Sequence, residues 1–139
     1  MLMVFRGVQA GPTVKGDGTF EGDVWRDAIF SQDGVTAGSN FFAPCGRTYW
    51  HTHEGGQLLI IVAGSGFVVD DDGANRVEAG DMVWTPPGVR HWHGGCSDRF
   101  LIHTTVSVGG TEWHAPVSDA EFAEAESTPL VPGASVDTD

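Results

Sequence analysis

Short apolar runs separated by glycine- and proline-containing turns extend through most of the 139-residue chain. Runs of this length, without the 3.6-residue period of an amphipathic helix, predict about nine short β-strands in a sandwich or barrel. The longer predicted strands cover residues 20–30, 35–42, 58–62, 67–69, 82–84 and 100–108. Residues 58–62 are continuously apolar, which predicts a strand that is buried on both faces.

Glycines and acidic residues mark the connections between these strands. Residues 64–66 and 94–95 are glycine-rich and are predicted to be turns. Residues 70–73 read Asp-Asp-Asp-Gly, which predicts the loop of a β-hairpin.

The two ends of the chain differ from its centre. Ser118 and Glu121 have the spacing of a capping box, which predicts a short helix that ends near Glu126. After it the chain is rich in proline, small and acidic residues. We therefore expect a single domain over residues 1–126, a flexible acidic tail over residues 127–139, and an edge strand in residues 1–8.

Two His-x-His pairs are the strongest chemical signal: His51 with His53, and His91 with His93. Successive side chains of a strand point to opposite faces, so the members of each pair share a face. Gln57 has the same parity as the first pair. Imidazole nitrogens and an amide oxygen suit manganese, iron, zinc, nickel or cobalt better than calcium or magnesium. The pairs therefore predict a bound divalent transition metal inside the barrel.

The amino-acid composition indicates which classes of partner the protein binds and in which cellular compartment it lies. Nineteen acidic and seven basic residues give a formal charge of −12, which disfavours nucleic acid as a partner. The two cysteines, Cys45 and Cys96, do not make a disulfide framework. No secretory signal and no apolar stretch of about 18 residues is visible. We expect a cytoplasmic protein that binds a small molecule and no membrane.

The segments around the histidines resemble the two motifs of the cupin superfamily. The first motif is matched by Gly46, His51, His53, Gln57 and Gly64, and the second by Gly80, Pro86, Gly88 and His91. The resemblance implies an all-β double-stranded β-helix, or jelly-roll, barrel, here with a short C-terminal helix. It also implies a homodimer or homotetramer in which the first residues pair with a neighbouring subunit.

The same resemblance implies that His51, His53, Gln57 and His91 hold one ion with one or two coordination positions open. Manganese is the first expectation, with iron, zinc, nickel and cobalt as alternatives. Gln57 stands where cupins usually have a glutamate. Because a neutral amide cancels no charge, the ion keeps its full +2, which strengthens it as a Lewis acid and favours non-redox chemistry over oxygenation.

Two further histidines are candidates for acid/base catalysis. His93 shares a face with His91, and His103 lies on a strand that could pass the metal. His93 could instead be a fifth ligand, and His103 could instead be a core residue bonded to a backbone carbonyl. His114 is expected to be structural.

The motif segments are also similar to small single-domain cupins that act as manganese-dependent hydroxynitrile lyases. That similarity implies that a cyanohydrin hydroxyl binds the metal, that His103 takes its proton, and that His93 hydrogen-bonds the leaving cyanide. The first hypothesis is therefore a metal-dependent lyase that cleaves a C–C bond of a small hydroxynitrile-like or carbonyl substrate. The alternatives are a cupin of the polyketide cyclase, isomerase or decarboxylase type, and a non-catalytic small-molecule-binding cupin.

Overall fold

The computed structural model describes residues 1–6 and 10–129. In that part the chain forms twelve strands and one helix, which confirms the predicted all-β fold. The strands are β1 (Val14–Lys15), β2 (Phe20–Glu21), β3 (Val24–Gln32), β4 (Val35–Phe42), β5 (Arg47–Thr48), β6 (His51–His53), β7 (Gln57–Asp70), β8 (Gly73–Glu78), β9 (Met82–Thr85), β10 (His91–Gly95), β11 (Leu101–Val108) and β12 (Thr111–Trp113), and the helix is α1 (Asp119–Glu126). The short strands β1 and β12 are not among the predicted ones.

The strands form one curled antiparallel sheet in the order β1-β3-β4-β11-β7-β10-β5-β2. β8 and β9 also pair with β7, and β6 pairs with both β10 and β12. The sheet curls because β7 is shared: its first half pairs with β11 and β9, and its second half with β10 and β8. This curl encloses an interior and gives the expected jelly-roll barrel.

Glycines pack strands closely at two places where turns are predicted. Residues 64–66 lie within β7 and residues 94–95 within β10, so both turn predictions are wrong. A Cβ on Gly66 would collide with the carbonyl oxygen of Gly94, and a Cβ on Gly94 would collide with that of Gly46. These glycines therefore let neighbouring backbones approach each other. The predicted hairpin at residues 70–73 is confirmed, because Asp70 pairs with Gly73.

The chain ends agree only in part with expectation. Residues 1–6 form no strand within the single chain, and residues 7–8 of the predicted edge strand lie outside the described part. The predicted pairing of these first residues with a neighbouring subunit stays a prediction. The capping box is confirmed: the Ser118 hydroxyl accepts from the Glu121 N–H, and the Glu121 carboxylate accepts from the Ser118 N–H. Of the predicted tail, residues 130–139 lie outside the described residues.

Two apolar clusters lie on opposite sides of the sheet. The interior cluster comprises Val24, Phe42, Leu59, Ile61, Val68, Val77 and Leu101. The cluster under α1 comprises Trp50, Phe67, Val69, Trp92, Cys96, Val117, Phe122 and Ala125. Alternation along β10 sends Trp92 towards the helix, which leaves His91 and His93 pointing into the barrel.

The outside of β7 and β9 stays apolar and exposed. Val62 is 54% exposed, so the predicted burial of residues 58–62 on both faces is wrong. On the adjacent strand β9, Met82 is 69% and Trp84 54% exposed. We refer to Val62, Met82 and Trp84 as the apolar outer face. In the described part of the chain, no helix has the length and apolar character needed to cross a membrane.

Candidate metal centre and cavity

The two His-x-His pairs lie on the adjacent strands β6 and β10, where His51 is directly opposite His91. The ring centroids of these two residues are 4.2 Å apart, and the His53 ring lies 4.9 Å from His51 and 5.3 Å from His91. His51, His91 and His93 each place a ring nitrogen within 4.8 Å of the other two. All four side chains are buried. The barrel thus contains a cluster of imidazoles that could hold a metal ion.

Backbone carbonyls fix the orientation of two of these rings. Nδ1 of His51 lies 2.8 Å from the carbonyl oxygen of Tyr49, and Nδ1 of His91 lies 3.1 Å from that of Val89. A carbonyl oxygen only accepts, so each Nδ1 carries the proton and donates it. Each Nε2 therefore keeps its lone pair, which is the tautomer that a metal-binding histidine needs.

His53 and Gln57 complete the set of donor atoms. Nδ1 of His53 is 3.0 Å from the hydroxyl of Thr111, whereas its Nε2 is buried without a hydrogen-bond partner. The Gln57 amide nitrogen donates to the Ser107 hydroxyl at 3.0 Å, so its Oε1 faces Nε2 of His91 at 3.2 Å. Both facing atoms are acceptors. A cation between them would satisfy lone pairs that otherwise repel each other.

The imidazoles of this cluster are held in the neutral form. Burial lowers the pKa of His51 well below its ordinary value, and the nearby His91 ring lowers it further. Burial also lowers the pKa of His53 to about 4, with a smaller contribution from His91. Burial likewise lowers the pKa of His91. Neutral rings with free Nε2 lone pairs are ready to coordinate a metal without first losing a proton.

These observations fit a divalent transition metal. Three Nε2 atoms and one amide oxygen form a neutral set of nitrogen and oxygen donors. Divalent transition metals bind such ligands, whereas calcium and magnesium prefer oxygen ligands. The unpartnered Nε2 of His53 is explained if a cation binds there. Of the four predicted ligands, His51 and His91 belong to the group of ring nitrogens that could hold an ion, and His53 and Gln57 lie beside them. The third member of that group is His93, whose Nε2 is also buried without a hydrogen-bond partner, as expected if His93 is a further ligand.

His93 and His103 form a pair beside this cluster. Nε2 of His103 lies 2.9 Å from Nδ1 of His93, so one of the two rings donates a hydrogen bond to the other, and the tautomers decide which. His93 lines the cavity, whereas His103 is fully buried and packs against the ring of Phe42. Burial lowers the pKa of both, that of His103 to about 4. His103 is absent from the described cavity wall, so the predicted direct contact of His103 with substrate does not match its position.

A cavity of about 480 Å³ opens in front of the histidines. Its wall includes His51, His53, Gln57 and His93, together with the aromatic residues Phe20, Phe30 and Trp113. The Trp113 ring lies 4.7 Å from the His51 ring. A cavity of this size, with one apolar wall and a few polar groups, suits a small aromatic molecule.

Several residues of this site are missed by the sequence analysis. Thr111 and Trp113 come from the three-residue strand β12, whose alternation is too short to be recognised. Ser107 could have been found, because it shares the parity of His103 on β11. His114, expected to be structural, is exposed, and its N–H donates to the carbonyl of Trp50.

A small antiparallel jelly-roll barrel with two converging His-x-His pairs defines a cupin with a candidate metal site. The chain belongs to the cupin family, and the family described as "Cupin domain" matches residues 41–106. It is 34% identical over 111 residues to an (R)-mandelonitrile lyase of Granulicella tundricola, a match that covers 74% of this chain and 85% of the relative.

Solved structures show the same fold. A cupin-like protein from Thermotoga maritima is 34% identical, with a TM-score of 0.79, and the match covers 83% of this chain and 94% of that one. A predicted oxalate decarboxylase from the same organism has a TM-score of 0.67 at 19% identity, covering 78% of this chain and 100% of that one. The second likeness concerns the fold alone.

Proposed function

We propose that this cupin is a metal-dependent lyase that cleaves a C–C bond of a small aromatic hydroxynitrile and releases an aldehyde and hydrogen cyanide. The ligands in this proposal are His51, His53, Gln57 and His91, and manganese is the preferred ion. One observation carries the proposal: the cavity lined by His51, His53 and Gln57 is also lined by His93, which is hydrogen-bonded to a buried second histidine. The 34% identity to an (R)-mandelonitrile lyase supports the reaction class.

When bound, the ion supplies Lewis acidity that stabilises negative charge developing on the substrate oxygen. The proton transfers belong to His93. When its Nδ1–H donates to Nε2 of His103, Nε2 of His93 presents a lone pair to the cavity and can accept a proton. When Nε2 of His103 is instead the donor, Nε2 of His93 carries a hydrogen and can donate it.

In the proposed reaction Nε2 of His93 takes the hydroxyl proton of the hydroxynitrile. The electron pair of the O–H bond becomes the second bond of the aldehyde C=O. The C–CN bond breaks, its electron pair leaves on the cyanide carbon, and His93 returns the proton to that carbon. Hydroxynitrile is thus converted to aldehyde and hydrogen cyanide without any oxidant. His103 acts as a positioning residue, because it touches His93 and not the cavity.

The apolar wall of the cavity supports the choice of an aryl substituent in this proposal. Trp113 adjoins His51, and the ring of Phe20 lies 6.0 Å from that of Trp113. An aryl ring against these two side chains would keep water away from the reacting carbon and place it near the histidines.

Mandelonitrile cleavage by the metal-loaded protein, followed as benzaldehyde release, tests the proposal. We expect His93→Ala to lower kcat by roughly 10²- to 10⁴-fold, the range for loss of a general acid/base. His51→Ala should lose both metal and activity. His114→Ala is the matched control, because His114 is exposed and absent from the described wall of the cavity. It should keep the wild-type rate.

The metal content of the variants distinguishes a histidine that binds the metal from one that acts as an acid/base group. We expect His93→Ala to retain bound metal, and loss of metal in that variant would make His93 a ligand instead of the acid/base group. If the metal-loaded wild-type protein cleaves mandelonitrile no faster than His51→Ala does, the lyase assignment is rejected.

A further inference from the structure

Arg26 is the only lysine or arginine among the described residues that line the cavity. Strand register places it between Val14 of β1 and Asn40 of β4, both of which are uncharged and line the same cavity. Its guanidinium carbon lies 5.6 Å from the centre of the Phe20 ring. Arg26 is itself exposed, so its charge lies at the cavity mouth, away from the buried histidines.

No acidic partner accounts for this arginine within the described part of the chain. The ion pairs there use Lys15, Arg47 and Arg90. The next residue, Asp27, also lines the cavity, but it forms no ion pair with Arg26 and accepts a hydrogen bond from the Thr13 hydroxyl at 2.6 Å. Arg76 and Arg99 also form no ion pair in the described part of the chain, but neither lines the cavity, so Arg26 is distinguished by its position there.

An aromatic row connects the candidate metal centre with Arg26. The Trp113 ring lies 4.7 Å from the His51 ring, the Phe20 ring lies 6.0 Å from Trp113, and the Arg26 guanidinium lies over Phe20. A molecule whose hydroxyl lies at the His51 end would place its ring along Trp113 and Phe20. A substituent at the opposite end of that ring would point towards Arg26.

We propose that Arg26 binds an anionic substituent, so that the preferred substrate is a small aromatic hydroxyl or carbonyl compound with a carboxylate remote from the reacting group. The orientation of the substrate in this proposal rests on the lyase function proposed above. A guanidinium offers paired N–H donors that match the two oxygens of a carboxylate. With a net charge of −12, the protein repels anions in general, so a local cation is needed to hold one in the cavity.

Equilibrium binding to the manganese-loaded protein tests this independently of catalysis. The probes are 4-(hydroxymethyl)benzoate and its uncharged analogue benzyl alcohol, titrated by calorimetry. We expect Arg26→Gln to weaken binding of the carboxylate probe about fivefold, the scale of a partly exposed charge pair, and to leave benzyl alcohol unchanged. Arg99→Gln is the matched control, since it removes the same charge from an exposed residue absent from the described cavity wall.

Three results would overturn the proposal: no measurable binding of the carboxylate probe, equal weakening of both probes, or equal weakening by Arg99→Gln. Activity gives a second readout. In Arg26→Gln the ratio of kcat/KM for 4-carboxymandelonitrile to that for mandelonitrile should fall about fivefold. If the wild-type protein cleaves neither nitrile, the lyase function fails, and the calorimetric comparison alone decides the role of Arg26.

Discussion

Acidification should destabilise the metal-free protein through its buried histidines, and His103 offers the clearest case. Burial lowers its pKa from 6.5 to about 4, so the folded state stays neutral while the unfolded state takes up a proton. Because the lowered pKa belongs to the folded state, His103 does not reduce the free energy of unfolding well above pH 6.5. Below pH 6.5 the unfolded state takes up a proton that the folded state does not, so the free energy of unfolding falls as the pH falls towards 4. One pKa unit corresponds to about 1.4 kcal/mol, so a change from pH 7 to pH 5 should cost about 2 kcal/mol at His103.

Urea unfolding, followed by tryptophan fluorescence at pH 7 and pH 5 with a chelator present, measures this cost. His103→Leu removes the titrating group from the same buried position. Between the two pH values the variant should lose about 2 kcal/mol less stability than the wild type. His103 also lowers the pKa of His93, so its removal reduces the acid sensitivity of His93 in the same direction. His114→Ala serves as the control for loss of an exposed histidine.

The comparison concerns the change with pH, because His103→Leu also leaves Nδ1 of His93 without its partner and lowers stability at every pH. Equal losses in wild type and His103→Leu would refute the reasoning. His103 would then take up its proton in the folded state, which is incompatible with the neutral hydrogen-bonded pair on which the proposed mechanism depends.

Two further predictions concern the metal and the assembly. In Gln57→Glu the new carboxylate cancels one unit of the ion's charge, so metal competition should show an altered preference and cyanide titration weaker binding; no change in either measurement would contradict the charge argument. We also expect a second copy of the chain to cover the apolar outer face, because that face carries no charge on a protein of net charge −12. Met82→Lys should then convert a dimer or tetramer to a smaller species in sedimentation, and a monomeric wild type would contradict this prediction.

The location of the candidate site could be predicted because it depends on strand parity. In each His-x-His pair the period of two places both rings on one face, whatever the rest of the chain does. The helix start could be predicted for a similar reason, since the Ser118 and Glu121 side chains bond to the backbone only three residues away.

The clearest errors in the predicted secondary structure lie at glycines. At residues 64–66 and 94–95 the sequence suggests turns, whereas the structure uses these glycines inside strands where another backbone comes close. Local sequence does not distinguish the two uses, because the group that a Cβ would strike belongs to a strand distant in sequence, as with Gly66 and the carbonyl of Gly94.

The sequence by itself determined the all-β class, the shared face within each histidine pair with Gln57, and the capped helix, because each depends on residues close together in the chain. Only the tertiary structure decided that His103 lies behind His93, that Thr111 orients His53, and that Arg26 stands unpaired at the cavity mouth. Each of these depends on which strands become neighbours in the sheet. That choice follows from packing over the whole barrel, and no short stretch of sequence records it.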